Sequence, residues 1–204
     1  MPGIDQPALL IIDPQVSFCD AGGSMARQGR PIDSLRAAAT NCGRLADQAR
    51  DGGAIVIWTR MIFEEGYADG GELINTIRPG LAKIGALLRG SGDECFSEVV
   101  CPAADDLIID KNRFSALVNT SLEAILREKN VKRVFVCGVT TSMCVESTVR
   151  DLGQRDFKTF VVQDACADFD EPRHESALVS MAFGFARLIT MKDAQTALNG
   201  NSDE

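Results

Sequence analysis

Short apolar runs alternate with longer amphipathic stretches along this chain. Ala8-Leu9-Leu10-Ile11-Ile12 and Val134-Phe135-Val136-Cys137 are continuous apolar runs, the pattern of strands buried on both faces of a parallel sheet. Four more strands are predicted over residues 54–58, 106–110, 158–162 and 186–190. Between them, apolar positions recur at three- and four-residue steps. Asp33 caps a predicted helix running to about Arg50, with Leu35, Ala38, Cys42, Leu45 and Ala49 on one face, and Gly52-Gly53 ends it. A short helix is predicted around Leu81, Ile84, Leu87 and Leu88. Thr120-Ser121-Leu122-Glu123 matches a capping box and opens a helix ending near Asn130. Val145, Thr148, Val149 and Leu152 mark another helix. Pro172 opens one with Leu178, Met181 and Phe185 apolar, and a short helix follows the sixth strand. Strands alternating with helices predict a three-layer α/β/α, Rossmann-like domain with a mostly parallel six-stranded sheet. It spans residues 1–198, followed by a flexible tail over 199–204. Residues 20–31 read as a loop. The pattern is weakest over 59–104, a glycine-punctuated excursion that serves either as a lid or pocket wall or as a subunit contact.

Composition removes several classes of function. The chain has 204 residues, 45% of them hydrophobic and 25% charged, and a net charge of −8, which suits one soluble domain with a sizeable core. No basic block or stripe appears, so no nucleic-acid partner is expected. No apolar run approaches the ~20 residues of a membrane span, and no membrane association is expected. The seven cysteines are odd in number and form no C-x-x-C pair, which fits a reducing compartment. With no signal-peptide pattern at the N-terminus, a cytoplasmic location is expected. The single histidine, His174, makes no zinc site, and neither G-x-G-x-x-G nor a P-loop pattern is present. No metal and no cofactor are expected.

The chemistry lies at the strand ends. In open parallel sheets, ligands bind beyond the carboxyl ends of the strands. Asp13 follows the first strand, Lys111 the third and Cys144 the fourth. Cys137-Gly138-Val139-Thr140-Thr141-Ser142-Met143-Cys144-Val145 reads as a strand, a tight turn and a helix whose first turn carries Cys144. A thiol beside the unpartnered N–H groups of a helix start ionises more easily, and those groups can hold an oxyanion. The alternative is a small buried hydrophobe. A thiol nucleophile needs a base. His174, at a predicted helix start, reads as a surface or capping residue. Asp13 is the other candidate, because desolvation moves a carboxylate toward the thiol range, and Lys111 balances the charge.

Three segments also resemble a known family: Leu10-Ile11-Ile12-Asp13-Pro14-Gln15-Val16-Ser17-Phe18, Ile109-Asp110-Lys111-Asn112-Arg113-Phe114-Ser115-Ala116 and Gly138-Val139-Thr140-Thr141-Ser142-Met143-Cys144-Val145. In this order, over nearly the whole chain, they are similar to the isochorismatase-like cysteine hydrolases, which include nicotinamidase, N-carbamoylsarcosine amidase, ureidoacrylate amidohydrolase and biuret hydrolase. The resemblance implies a catalytic triad of Asp13, Lys111 and Cys144. It also implies a cis peptide between Val139 and Thr140 that aims the Thr140 and Cys144 N–H groups into one oxyanion hole, and a homo-oligomer, dimer or tetramer. The implied reaction is hydrolysis of a C–N bond in a small linear amide or ureido (N-carbamoyl) substrate through a covalent acyl-enzyme. Trp58-Thr59-Arg60-Met61-Ile62-Phe63 lacks the histidine of the nicotinamidase metal cluster, and Cys144 argues against the vinyl-ether-cleaving branch. That ether hydrolase, or a non-catalytic binding or scaffold protein of the same fold, is the alternative. Phe18, Arg60, Phe63, Tyr67, Phe114, Thr141 and Gln15 are the substrate-binding candidates, with Arg60 facing a substrate carboxylate or making a surface ion pair. Gln163 and Asp164 are candidates for the rim.

Overall fold

In a computed structural model describing residues 6–198, six parallel strands form one sheet: β1 (Ala8–Ile12), β2 (Ile55–Met61), β3 (Leu107–Lys111), β4 (Arg133–Val139), β5 (Lys158–Ala167) and β6 (Arg187–Ile189). The order is β3-β2-β1-β4-β5-β6. The chain starts in the middle, builds outward through β2 and β3, then returns to lay β4 against the free side of β1. The β1/β4 boundary is therefore the topological switch point, where such sheets leave a crevice at their carboxyl end. β1 is buried along its whole length, which is why its five residues are all apolar. The tail expected over 199–204 lies outside the described residues.

Eight α-helices are present among the described residues: α1 (Val16–Cys19), α2 (Ser24–Arg27), α3 (Asp33–Asp51), α4 (Gly80–Lys83), α5 (Leu122–Glu128), α6 (Glu146–Gly153), α7 (Glu171–Gly184) and α8 (Met191–Leu198). α3 buries Leu35, Ala38, Cys42, Leu45 and Ala49 against β2, β4 and β5. α3 and α8 pack together, as do α6 and α7, with α6 against β5. No described helix is long and apolar enough to cross a membrane.

The structure corrects several local expectations. Ile32, not Asp33, is the cap residue of α3, and Asp33 sits in its first turn. The capping box at 120–123 does not form. Ser121 holds the cap position without a side-chain bond, while the Thr120 hydroxyl donates to the Ala116 carbonyl at 2.5 Å and accepts from the Leu122 N–H at 3.2 Å. The helix around Leu81 stops at Lys83, and Leu87 turns left-handed at φ 58°. The loop over 20–31 contains the one-turn helix α2. β5 runs to Ala167, five residues beyond its expected end, because a register shift between Val136 and Gly138 lets β4 and β5 keep pairing.

Candidate active site

Three segments meet at the switch point. β1 ends at Ile12, and Asp13 follows at φ 48° with its side chain fully buried. Lys111 closes β3, two strands away from β1. Two strand spacings are roughly 10 Å, a gap that the lysine stem crosses. Its Nζ donates to Asp13 Oδ2 at 2.6 Å with neither side chain exposed, and to the Arg113 carbonyl at 3.1 Å. On the intervening strand β2, the Thr59 hydroxyl donates to Asp13 Oδ1 at 2.5 Å, and the Asp13 N–H donates to the same hydroxyl at 3.2 Å. Thr59 is fully buried. The sequence reading missed it, although a lone hydroxyl inside an apolar strand was a visible signal.

Cys144 arrives from β4 by a turn that Gly138 makes possible. Gly138 pairs with Ile12 and has φ 119°. A Cβ there would lie 2.2 Å from the Ile12 carbonyl oxygen, so only glycine lets the two strand ends run this close. The Val139–Thr140 peptide is cis. A single π-helical turn, Thr141–Val145, then leads into α6. In that turn the Ser142 N–H donates to Asp168 Oδ2 at 2.7 Å. The N–H groups of Met143 and Val145 turn back to the Thr140 carbonyl.

The thiol of Cys144 lies close enough to Asp13 and Lys111 for both to act on its charge state. Burial pushes it well above the ordinary thiol range. Lys111 pulls it down, and Asp13 pushes it up again. This reverses the expectation that the helix start would ionise it, since loss of water outweighs a partial dipole charge in so closed a position. Burial also opposes the charge on Lys111. The adjoining Asp13 carboxylate and the thiol outweigh that effect and hold its pKa above the usual value. At rest the site is thus an Asp13–Lys111 ion pair beside a protonated sulfur.

The raised thiols have a consequence for stability. Cys19, Cys42, Cys144 and Cys166 are all pushed up from 9.0, first by burial. The folded chain keeps protons that the unfolded chain releases above pH 9. Stability is therefore full below that pH and falls as pH rises, by up to about 1.4 kcal/mol per pH unit for each thiol. Urea midpoints at pH 8 and pH 10 should show the drop, and Cys42→Ala should lessen it.

A cavity of about 380 Å³ opens over the sulfur. Phe18 and Phe114 line it, together with Thr140 and Cys144. So do Arg78, Leu81, Ile84 and Leu87, which makes the excursion over 59–104 one wall of the cavity. Asp93 fastens that wall by accepting from Ser24 N–H at 2.7 Å, from the Ser24 hydroxyl at 2.8 Å and from Leu87 N–H at 2.9 Å.

Other candidates lie elsewhere. Arg60 pairs with Asp110 at 2.9 Å across β2 and β3. Its side chain does not line the cavity, because the β2–β3 register sets it directly beside that carboxylate. Phe63 is buried against Tyr67, whose hydroxyl donates to the Ala86 carbonyl at 2.8 Å. Both rings brace the cavity wall from behind. Gln15 spends its amide on backbone, donating to Met61 O at 2.9 Å and Glu94 O at 2.8 Å and accepting from Met61 N–H at 2.8 Å. Thr141 is buried and meets half-buried His174 at 2.9 Å between Oγ1 and Nδ1, and that histidine is not a cap. The cap of α7 is Asp170.

Asp164 is not at the rim either. Its carboxylate accepts from Met191 N–H, and its carbonyl accepts from Asn41. The longer β5 delivers Asp168 to the cavity instead. Arg30, Arg173, Met25, Met143 and Phe169 also line the cavity and were not singled out. Their segments carry no periodic signal that would aim them at a strand end.

The model of the family described as Isochorismatase domain matches residues 7–193. A solved cysteine hydrolase from Pseudomonas syringae pv. phaseolicola 1448A is 26% identical, with a TM-score of 0.86 over 97% of this chain and 94% of that one. N-carbamoylsarcosine amidase from Thermoplasma acidophilum is 20% identical, with a TM-score of 0.73 over 91% of this chain and 96% of that one. Pyrazinamidase of Pyrococcus horikoshii, solved with zinc, is 24% identical, with a TM-score of 0.75 over 91% of this chain and 99% of that one.

Proposed function

The chain belongs to the isochorismatase family of hydrolases, and from that premise we propose that it hydrolyses a C–N bond of a small linear amide or ureido compound, with Cys144 as nucleophile. The observation that carries this reading is the buried Asp13–Lys111 pair acting electrostatically on the Cys144 thiol, which lines a cavity. Because burial keeps the sulfur protonated, its proton leaves during attack and not before. Asp13 accepts that proton while sulfur bonds to the substrate carbonyl carbon. Lys111 holds the carboxylate in place, and Thr59 fixes its other oxygen. The new oxyanion is held by the Thr140 and Cys144 backbone N–H groups. Asp13 then gives the proton to the leaving nitrogen as the C–N bond breaks. Water hydrolyses the thioester and restores the thiol.

The test is ammonia release from a panel of linear amides and ureido acids. Wild-type protein should turn over at least one of them. Cys144→Ala removes one buried sulfur, should leave the fold intact and should abolish release. Undiminished release by the variant, or none by wild type across the panel, would refute the reading.

A further inference from the structure

The cavity is cationic in an acidic protein. The chain carries 29 Asp and Glu against 21 Lys and Arg, yet three arginines, Arg30, Arg78 and Arg173, line the cavity over the thiol with a single carboxylate, Asp168. That carboxylate is buried and already committed. Its two oxygens accept from Ser142 N–H at 2.7 Å and from Phe169 N–H at 2.8 Å. Arg173 pairs with Asp170 at 3.1 Å. Arg30 lies over the Phe169 ring, 5.6 Å from its centroid, and makes no ion pair among the described residues. Arg78 is exposed and likewise has no acidic partner among them. Arg36, Arg50, Arg60, Arg89 and Arg155 pair with acidic neighbours; what sets Arg30 and Arg78 apart from other arginines without an ion pair among the described residues, such as Arg27 and Arg187, is that they line the cavity.

We propose that Arg30 and Arg78 select a substrate with a carboxylate beside its amide or ureido group. The proposal rests on the hydrolase reading and names the substrate class. The guanidinium fork matches a carboxylate in geometry and charge, and the apolar wall of Phe18, Leu81 and Phe114 takes the carbon skeleton between the two ends.

The test compares succinamate with succinamide, an anionic and a neutral ligand of one length. Equilibrium binding is measured by calorimetry on Cys144→Ala protein, which cannot turn them over. Succinamate should bind about tenfold tighter, and the preference should shrink with added salt. It should vanish in the Arg30→Gln/Arg78→Gln double variant and persist in Arg60→Gln, whose guanidinium is held away by Asp110. Equal affinities, no binding of either ligand, or a preference that survives the double variant would overturn the proposal. Turnover by wild type separates the two readings. An anion preference without hydrolysis of any amide removes the hydrolase reading and leaves the anion site standing.

Discussion

Lys111→Met should cut turnover severely and cost roughly 3–5 kcal/mol of stability. The substitution keeps most of the apolar stem and removes the ammonium, with its charge and its hydrogen bonds to Asp13 and the Arg113 carbonyl. Asp13 is then left as a fully buried carboxylate whose opposite charge is gone, with Thr59 as its side-chain donor. Breaking one half of a buried pair costs more than the pair ever contributes, because each ion was desolvated on the strength of the other. The activity loss should fall within about 10²–10⁴-fold, the range for a positioned acid–base group. The Asp13→Asn/Lys111→Met double variant separates the two effects. With both charges removed it should recover much of the stability and none of the activity. Urea denaturation gives the first quantity and ammonia release the second. A single variant as stable and as active as wild type would show that the ion pair matters to neither.

Gly138→Ala should be almost as damaging, by a route that touches no reactive group. The added methyl would sit 2.2 Å from the Ile12 carbonyl oxygen and 2.6 Å from the Ile12 nitrogen. Those are backbone atoms of the central strand and cannot rotate aside. The residue must also hold φ 119°, outside the range of an L side chain. Overpacking and backbone strain together cost roughly 3 kcal/mol or more. The strands forced apart are the two that deliver Asp13 and Cys144, so activity should fall even at temperatures where the variant stays folded. Gly22→Ala is the control. Nothing lies within 4 Å of a Cβ there, and the change should stay within about 0.5 kcal/mol. Equal melting temperatures for the two variants would contradict this account of the β1–β4 contact.

The sequence showed where reactive groups enter the fold, because an apolar run that stops at a charge marks a strand end. Asp13 and Lys111 were found that way, and Cys144 by the strand–turn–helix pattern before it. The pocket was less legible. Arg60 and Gln15 stand near reactive segments in the chain, yet one faces Asp110 across a strand register and the other is consumed by backbone groups. Thr59 escaped notice because its partner lies 46 residues away in sequence. Asp164 was favoured over Asp168 because the polar pair Gln163-Asp164 imitates a strand end. Only pairing with β4 carries β5 past it.

By itself the sequence determined the strand–helix alternation, the parallel sheet and the three residues at its carboxyl edge, since periodicity and punctuation are local properties of a chain. Tertiary structure decided the rest. It placed β4 beside β1, drew the lysine across β2 to the aspartate, and gathered arginines from three unrelated segments around one sulfur. It also kept that sulfur protonated, because a side chain's charge state follows from the water and the charges around it, and those are set only when distant segments pack.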